Sequence, residues 1–185
     1  MTVAQRPDVT GIVLAAGAGT RAGVPKALLR HPSGEPWLQI AARVLRAGGC
    51  SRVVVVLGAR AQEARLLAPS DAEVVVARRW QQGMSESLRA GFAAASGDAA
   101  LVTLVDLPTL PASVVRRVLD GAGGLRRTVV HGQPAHPVYF SAGHWMPAAS
   151  SLEADTGARR YLAAHDVTEI ECGDLWDGVD YDLGN

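Results

Sequence analysis

A cluster of glycines and cations lies between Gly17 and Lys26, directly after an apolar run of the chain. Gly19 and Gly23 are the other glycines of this cluster, and Arg21 is its second cation. Because glycine tolerates backbone conformations that other residues avoid, such a loop can present bare backbone N–H groups to an anion. The two cationic side chains add fixed positive charge at the same place. The loop therefore predicts a polyphosphate-binding site.

Spacing tests the other interpretations of this glycine loop. A plain turn would use its glycines only for positive φ angles, and the two cations would then lie there by coincidence. The spacing is G-x-G-x-x-x-G rather than the G-x-G-x-x-G of dinucleotide-binding loops. No acidic residue ends the second apolar run, where Leu57, Gly58 and Ala59 stand instead of the usual ribose ligand. No G-K-[ST] follows, so the loop is not a Walker loop either.

A lone carboxylate, Asp106, follows an apolar run at residues 99–105. Mg²⁺ binds through one or two carboxylates together with phosphate oxygens, and Asp106 is suited to that use. Asp180 offers a second carboxylate near the end of the chain, with Asp177 and Asp182 as substitutes. The alternatives are that Asp106 caps the next turn and that the other three form a solvated acidic tail. A magnesium site formed by Asp106 and Asp180 is the functional hypothesis.

Two further segments carry polar groups suited to a second substrate. The segment GMSESL places Ser85 and Ser87 where a predicted helix begins. A helix N-terminus favours anions through its free N–H groups and its dipole. Simple capping by Ser85 is the alternative. His136 precedes a proline and a predicted strand, and it either lies at the ligand edge of the sheet or has a structural role.

The elements that position these residues follow from hydrophobic patterning. Four short valine-rich runs predict strands covered on both faces, at residues 10–15, 52–57, 73–77 and 99–105. Amphipathic segments between and after them predict four helices, at residues 36–47, 61–67, 85–95 and 111–119. After residue 121 we expect two strands at 127–131 and 137–140, joined through 132–134. A helix at 156–164, capped by Asp155 or Thr156, and a strand at 167–171 complete the chain.

This alternation predicts an α/β fold of three layers with a mostly parallel sheet and right-handed crossovers. We expect residues 1–185 to form a single domain. In open α/β sheets, ligands bind beyond the carboxyl ends of the strands. The glycine loop after the first strand and Asp106 after the fourth would meet at that edge.

Composition and charge exclude several classes of protein. A hydrophobic content of 48% with 19% charged residues argues against disorder. The net charge is zero, so nothing suggests a nucleic-acid or membrane partner. Cys50 and Cys172 lack the spacing of a zinc site. Because the sequence shows neither a signal-peptide pattern nor an apolar run near the ~20 residues of a membrane span, we expect a cytoplasmic protein.

The stretch LAAGAGTRAGVPKALL, from Leu14 to Leu29, resembles the signature of nucleotidyltransferases of the molybdenum cofactor type. Its Ala-Ala-Gly opening is more similar to the molybdenum cofactor cytidylyltransferases than to the guanylyltransferase branch, which usually shows Ala-Gly-Gly. Sugar-nucleotide pyrophosphorylases share this first motif. Four further stretches agree in order and narrow the choice: WQQGMSESLRAGF, LVDLP, AHPVYF and DTGARRYL. Together the matching stretches cover most of the chain.

The resemblance implies a Rossmann-like nucleotidyltransferase fold of the glycosyltransferase-A type and a Mg²⁺-dependent enzyme. The implied reaction transfers CMP from CTP to the terminal phosphate of molybdopterin or its molybdenum form and releases pyrophosphate. A molybdoenzyme that receives the cofactor is an implied partner. The chain departs from the family pattern at Ala22, Ala77 and Ala135, and at 179–182 near its end.

The residues implied by the resemblance fall into four groups. The catalytic residues are Lys26, Arg21 and Asp106. The residues expected to bind the nucleotide are Leu14, Ala15, Ala16, Gly17, Ala18, Gly19, Arg21, Lys26 and Trp80. The acceptor is assigned to Ser85, Ser87 and His136. The metal ligands are Asp106 and Asp180.

Three functional hypotheses are compatible with these residues. The first is the cytidylyltransferase. The second is a nucleotidyltransferase that uses GTP, or one that acts on a sugar phosphate or polyol phosphate. The third is a nucleotide-binding partner for cofactor insertion that has lost catalysis, which Ala135 and the altered end of the chain would support. Release of pyrophosphate from a nucleotide and an acceptor separates the first two from the third.

Overall fold

The computed structural model of the protein describes residues 7–20, 23–121 and 123–181. They form one central sheet with helices on both faces. The strands are β1 (Val9–Ala15), β2 (Arg52–Leu57), β3 (Glu73–Val76), β4 (Ala99–Leu104), β5 (Leu125–Val130), β6 (Gln133–Ser141) and β7 (Val167–Glu171). The helices are α1 (Trp37–Gly48), α2 (Ala61–Arg65), α3 (Met84–Ala94), α4 (Ala112–Leu119), α5 (Ala142–Ser151) and α6 (Arg159–Ala163). Three 3-10 helices lie at Lys26–Leu28, Trp80–Gln82 and Ala154–Thr156.

The sheet has seven strands in the order β3-β2-β1-β4-β6-β5-β7. Strands β1, β2, β3 and β4 pair in parallel, and so do β5 and β7. Strand β6 runs antiparallel to both of its neighbours. The predicted α/β fold with a mostly parallel sheet is confirmed. The carboxyl ends of β1 and β4 are adjacent, as the prediction for the ligand edge requires.

Alternating side chains of the central strands divide the core into two layers. In β1, Val13 and Ala15 pack in the layer that contains α1 and α4, whereas Ile12 and Leu14 pack in the layer of α3 and α5. This is the period of two expected for a strand that is buried on both faces. Helix α3 can pack closely on β1 because Gly91 has no side chain. A Cβ at this position would be 2.7 Å from Ile12 Cγ2. That close packing fixes the start of α3 near the ligand edge of the sheet.

The structure corrects several predicted elements after residue 80. Helix α3 begins at Met84 with Gly83 as its N-cap residue, so Ser85 does not cap it. Strand β6 begins at Gln133, before the predicted start at Pro137. Helix α5 was not predicted, because Pro147 inside it and its mixed pattern conceal a helical period.

The predicted helix at 156–164 is divided into the 3-10 helix Ala154–Thr156 and α6, whose N-cap residue is Ala158. The two expected capping side chains have other partners. Asp155 Oδ1 accepts a hydrogen bond from the backbone N–H of Met84 at 3.2 Å, and Thr156 Oγ1 donates to the carbonyl of Glu153 at 2.7 Å. Among the described residues, no helix combines the length and the apolar character needed to cross a membrane.

The Glu171 carboxylate ties the turn between β5 and β6 to the end of β7. It accepts backbone N–H groups from Gly173 at 2.7 Å, His131 at 3.1 Å and Gly132 at 3.2 Å. The bond from Gly173 contributes most to a lowered pKa for Glu171, and burial opposes it. Because the pKa is lowered on folding, the charged carboxylate stabilises the fold above its usual value of 4.5, and this stabilisation is lost as the pH falls through the folded value.

We therefore expect Glu171→Gln to lower the urea midpoint of unfolding at pH 7, and the difference from wild type to shrink as the pH falls below 4.5. Glu169→Gln is the control, since Glu169 lies on the same strand and pairs with the Arg127 side chain instead of backbone N–H groups. Equal midpoints for Glu171→Gln and wild type at pH 7 would contradict the assignment.

Candidate active site

The glycine loop follows the carboxyl end of β1, and its glycines differ in whether the local backbone requires a residue without a side chain. Gly19 and Gly23 have positive φ angles of 63° and 71°, and a Cβ on Gly19 would be 1.9 Å from the Val24 carbonyl oxygen. Gly17 has no positive φ, and apart from its chain neighbours no described residue has an atom within 4 Å of the position of its missing Cβ. A plain turn therefore explains why glycine occupies positions 19 and 23, but it does not explain the glycine at position 17. Open space beside Gly17 suits close approach of a ligand to the backbone.

A cleft of about 680 Å³, here called the first cleft, opens at this end of β1 and β4. It has a volume typical of small-molecule sites. It is lined by the predicted nucleotide-binding residues that lie within the described part of the chain, namely Leu14, Ala15, Ala16, Gly17, Ala18, Gly19, Lys26 and Trp80. Arg21, predicted for both catalysis and nucleotide binding, lies outside the described residues. The structure thus brings together residues from the glycine loop and from the segment that follows β3.

An ion pair joins the two central side chains of the first cleft. Lys26 Nζ donates to Asp106 Oδ2 at 2.8 Å, and the two side chains are 22% and 17% exposed. Lys26 occupies the first position of the 3-10 helix Lys26–Leu28, which folds back toward the end of β4. The other carboxylate oxygen, Asp106 Oδ1, is buried and has no hydrogen-bond partner in the described part of the chain. A buried oxygen without a partner is costly, so this atom is suited to receive a cation or a donor from a ligand.

Asp180 reaches the same cleft from the distant end of the chain. The backbone N–H of Tyr181 donates to the Asp106 carbonyl at 3.0 Å, and the Tyr181 ring meets Trp37 edge-on at 5.9 Å between centroids. These contacts hold Asp180 beside Asp106, where it lines the first cleft. Within the described part of the chain, no three side chains of the types His, Cys, Asp and Glu form a group that could hold a metal. A divalent cation here would need ligand oxygens in addition to these two carboxylates, as Mg²⁺ does when it binds with phosphates.

A second cleft of about 690 Å³ adjoins the first. The two clefts share the side chains of Leu14, Met84, Leu104, Asp155 and Asp180 along their common boundary. The second cleft continues between β4, β6 and α6. The arrangement provides two neighbouring compartments with carboxylates where they meet.

His136, for which the sequence left a ligand-edge and a structural role open, lines the second cleft. The residue is half-buried, and its Nδ1 is 3.3 Å from the carbonyl oxygen of Val102. Burial lowers the pKa of His136, and the nearby charges of Asp106 and Asp180 oppose that effect. The imidazole is consequently neutral at neutral pH, and because its Nδ1–H donates to the Val102 carbonyl, its Nε2 is left as an acceptor for a ligand.

The two serines assigned to the acceptor are placed differently. Ser87 lines the first cleft, on the same side as the glycine loop. Ser85 is 2% exposed and is not among the residues that line either cleft, and its hydroxyl has no partner within the described residues. Because α3 begins at Met84 rather than at Ser85, Ser85 lies inside the first turn and is buried by it.

The structure adds residues to both clefts that the sequence analysis did not single out for chemistry. Asp155 and Met84 lie on the common boundary, and Arg127, Arg159 and Trp176 line the second cleft. Asp155 is the first residue of the stretch DTGARRYL. The family motif therefore included Asp155, but it gave no indication that its side chain lies between the two clefts. Its bond to Met84 joins residues that are 71 positions apart, which a local pattern cannot indicate.

The open space beside Gly17 gives a direct test of ligand approach. We expect Gly17→Ala to fold with the stability of wild type, because among the residues that the structure describes, none beyond its chain neighbours comes within 4 Å of the new methyl group. The methyl group would instead enter the cleft and weaken nucleotide binding by about tenfold or more, since small misplacements are costly there. Titration calorimetry with a nucleoside triphosphate measures the effect, and Gly143→Ala, equally unopposed but far from the clefts, is the control. Unchanged affinity in Gly17→Ala would show that the backbone at Gly17 does not approach the nucleotide.

Comparison with known proteins places this geometry in a family context. Residues 11–169 match the family described as the MobA-like NTP transferase domain. The chain is 38% identical over 197 aligned residues to nicotine blue oxidoreductase of Paenarthrobacter nicotinovorans, and the match covers 95% of this chain and 93% of that protein. It is also 35% identical to a probable molybdenum cofactor guanylyltransferase of Rhodopirellula baltica, over 60% of this chain and 54% of that protein.

Solved structures agree with the fold. Rv0371c of Mycobacterium tuberculosis H37Rv superposes with a TM-score of 0.78 at 26% identity, over 91% of this chain and 89% of that one. A complex of Rv0371c with manganese superposes with a TM-score of 0.73 at 26% identity, over 89% and 88% of the two chains. The similarity in fold therefore extends over about nine-tenths of the chain.

Proposed function

The chain belongs to the MobA-like NTP transferase family, and on that premise we propose that it transfers a nucleoside monophosphate to the phosphate of a small-molecule acceptor. An oxygen of the acceptor phosphate forms a bond to the α-phosphorus of the nucleoside triphosphate. The bond from this phosphorus to the oxygen shared with the β-phosphorus breaks, and pyrophosphate leaves with that oxygen. The observation that carries the proposal is the pair of adjoining clefts with Asp180 on their boundary. One cleft would bind the nucleotide and the other the acceptor.

Lys26 and the glycine loop are assigned to the triphosphate. Phosphoryl-type transfer depends mainly on positioning and on stabilisation of charge at the phosphate oxygens. Lys26 is already fixed by its bond to Asp106, so its charge is positioned before the nucleotide binds. Backbone N–H groups beside Gly17 provide further donors. Because the acceptor phosphate is itself an anion, the reaction needs no strong general base.

Asp106 and Asp180 are assigned to a divalent cation, with Mg²⁺ as the expected ion. Asp106 Oδ1, which is buried and has no partner among the described residues, and the neighbouring Asp180 carboxylate fit a hard cation that completes its shell with phosphate oxygens. When bound, such an ion neutralises charge on the triphosphate and the departing pyrophosphate. The manganese complex of Rv0371c supports the use of a divalent ion at this fold.

The family favours an acceptor of the molybdopterin type, and a molybdoenzyme would then receive the product. The base of the nucleotide has two candidates. The Ala15-Ala16-Gly17 opening favours CTP, whereas the relative named a molybdenum cofactor guanylyltransferase favours GTP. Cytoplasmic localisation remains a prediction from the sequence.

A panel of CTP, GTP, ATP and UTP with Mg²⁺ tests the proposal. The preferred nucleotide at a hundred times its dissociation constant is expected to stabilise the fold by about 2.7 kcal/mol. The same nucleotide with purified molybdopterin is expected to release pyrophosphate, and omission of the acceptor is the control. Stabilisation by a nucleotide without any pyrophosphate would instead favour the non-catalytic binding partner.

The relative named nicotine blue oxidoreductase favours a second candidate, an oxidoreductase that acts on nicotine blue. Organic hydride transfer usually relies on a nicotinamide or flavin cofactor. Leu57, Gly58 and Ala59 stand where a dinucleotide site would carry an acidic ribose ligand. Oxidation of a reduced nicotinamide dinucleotide in the presence of nicotine blue would support this candidate. No such oxidation, by protein that releases pyrophosphate from a nucleotide and an acceptor, would exclude it.

A further inference from the structure

Gly58 follows β2 and is buried behind the wall of the first cleft, which it does not itself line. Its φ angle is not positive, so the backbone conformation there does not require glycine. A Cβ at this position would nevertheless be 2.5 Å from the Ala16 carbonyl oxygen, 2.7 Å from Trp80 Cγ and 2.8 Å from Ala16 Cβ. These distances are well inside the roughly 3.5 Å at which non-bonded carbon atoms attract each other. Because Ala16 and Trp80 both line the first cleft, it is the cleft wall that requires glycine at position 58.

The other crowded glycines in the described part of the chain lie against residues that are remote from the ligand edge. Four more have no positive φ and would bring a Cβ within 3 Å of a neighbouring residue, namely Gly11, Gly48, Gly91 and Gly173. The atoms nearest to each of these four belong to residues that line neither cleft. Gly58 differs, since the three atoms nearest to its missing Cβ all belong to residues of the first cleft. Ordinary packing therefore explains the four, whereas Gly58 is coupled to the site.

The indole of Trp80 is the group that a side chain at position 58 would displace. The Ala16 carbonyl is fixed, because it accepts the backbone N–H of Ala59 at 2.9 Å. Trp80 is half-buried against the core layer of α3, and its backbone N–H is bonded to the Ala77 carbonyl at 3.2 Å. With the main chain bonded on both sides, a methyl group on Gly58 would move the ring more readily than the backbone.

The position of Trp80 in the sheet separates it from the charged end of the first cleft. Strand β1 lies between β2 and β4, so Gly58 and Trp80 are on the β2 side of the glycine loop, and Asp106 with its partner Lys26 is on the β4 side. The proposed function assigns the triphosphate to Lys26, which leaves the β2 side for the base of the nucleotide. An indole face is suited to that use, since every nucleobase can stack on an aromatic ring.

We infer that Gly58 is a positioning residue for the nucleobase. Because it has no side chain, the Trp80 indole can lie against Ala16, and there the ring stacks on the base. The inference rests on the proposed function for the statement that a nucleoside triphosphate occupies the first cleft. Gly58 itself touches no ligand and acts on the base alone, so its substitution should weaken a nucleotide without weakening a triphosphate that carries no base.

Titration calorimetry with CTP, GTP and inorganic tripolyphosphate, each with Mg²⁺, tests this role, because tripolyphosphate lacks the base and the sugar. We expect Gly58→Ala to weaken the tighter-binding nucleotide by about tenfold, the effect of losing one aromatic stacking partner. Tripolyphosphate affinity is expected to stay within about twofold of wild type. Unchanged nucleotide affinity, or an equal loss for nucleotide and tripolyphosphate, would overturn the inference. Wild-type protein that binds tripolyphosphate as tightly as both nucleotides would overturn it as well.

Gly48→Ala is the matched control, since a Cβ on Gly48 would be 2.1 Å from Val115 Cγ1, in the contact between α1 and α4 and away from both clefts. We expect it to lower the unfolding temperature and to leave the affinities for nucleotide and tripolyphosphate within about twofold of wild type. A loss of nucleotide affinity in Gly48→Ala equal to that in Gly58→Ala would show that general crowding is the cause, and would overturn the role of Gly58.

Trp80→Ala keeps the test decisive where Gly58→Ala does not fold, because it leaves Gly58 in place. We expect the same selective loss of nucleotide affinity, and normal nucleotide affinity in Trp80→Ala would overturn the inference. These measurements need neither an acceptor nor turnover. Nucleotide binding that responds to neither substitution would therefore overturn the role of Gly58 and leave the proposed function standing. Absence of pyrophosphate release with the selective loss intact would do the reverse.

Discussion

Substitution of Lys26 by methionine is expected to lower kcat/KM for nucleotidyl transfer by about 10²–10³-fold, the cost of removing one preorganised donor from a developing charge. Methionine retains most of the apolar length of the lysine side chain and removes only the ammonium group. The ammonium is fixed by Asp106 at 2.8 Å and is largely shielded from water, where its charge acts more strongly on bound phosphates. Pyrophosphate release with the preferred nucleotide and acceptor measures the effect.

Arg30→Ala is the control for Lys26→Met. Arg30 lies four positions away and donates to the Gly34 carbonyl at 2.8 Å, but it does not line either cleft. Its loss is expected to leave turnover within about twofold of wild type. Turnover of Lys26→Met within tenfold of wild type would contradict the assignment of Lys26 to the triphosphate. Thermal unfolding of both variants separates a loss of chemistry from a loss of fold.

The central strands could be predicted because their signal is local. Runs such as RVVVVL at 52–57 are valine-rich and apolar after Arg52, and parallel strands buried on both faces need that composition. The meeting of the glycine loop with Asp106 was also predictable, since it follows from the rule that ligands bind at the carboxyl ends of the strands. Residues 10–15 and 99–105 had only to be identified as neighbouring parallel strands.

The second cleft could not be predicted in the same way. It is formed by β6, by α6 and by the segment that carries Trp176, and their contacts depend on residues far apart in the sequence. Arg159 and Arg160 are indistinguishable by local pattern, yet only Arg159 lines the cleft. Ser85 and Ser87 likewise share one motif and are both buried, yet only Ser87 lines a cleft. Such choices are made by tertiary packing rather than by residue type.

Substitution of Asp106 by asparagine is expected to have the other large effect. Asparagine has nearly the same shape, so the fold should persist, but it removes the negative charge that would hold the divalent cation and that pairs with Lys26. We expect the release of pyrophosphate to fall by about 10³-fold or more, since both the cation and the position of the ammonium depend on this carboxylate. Binding of Mn²⁺, measured by its paramagnetic resonance signal, is expected to weaken in parallel.

Asp180→Asn and Asp177→Asn decide which second carboxylate cooperates with Asp106. Asp180 lines both clefts, whereas the exposed Asp177 accepts the backbone N–H of Val179 at 3.2 Å and lines neither. We expect Asp180→Asn to weaken Mn²⁺ binding together with turnover, and Asp177→Asn to change neither. Weak Mn²⁺ binding in Asp177→Asn with normal binding in Asp180→Asn would show that Asp177, and not Asp180, is the second metal ligand. Full Mn²⁺ binding in Asp106→Asn would instead show that the cation depends on other groups, and that Asp106 serves only to position Lys26.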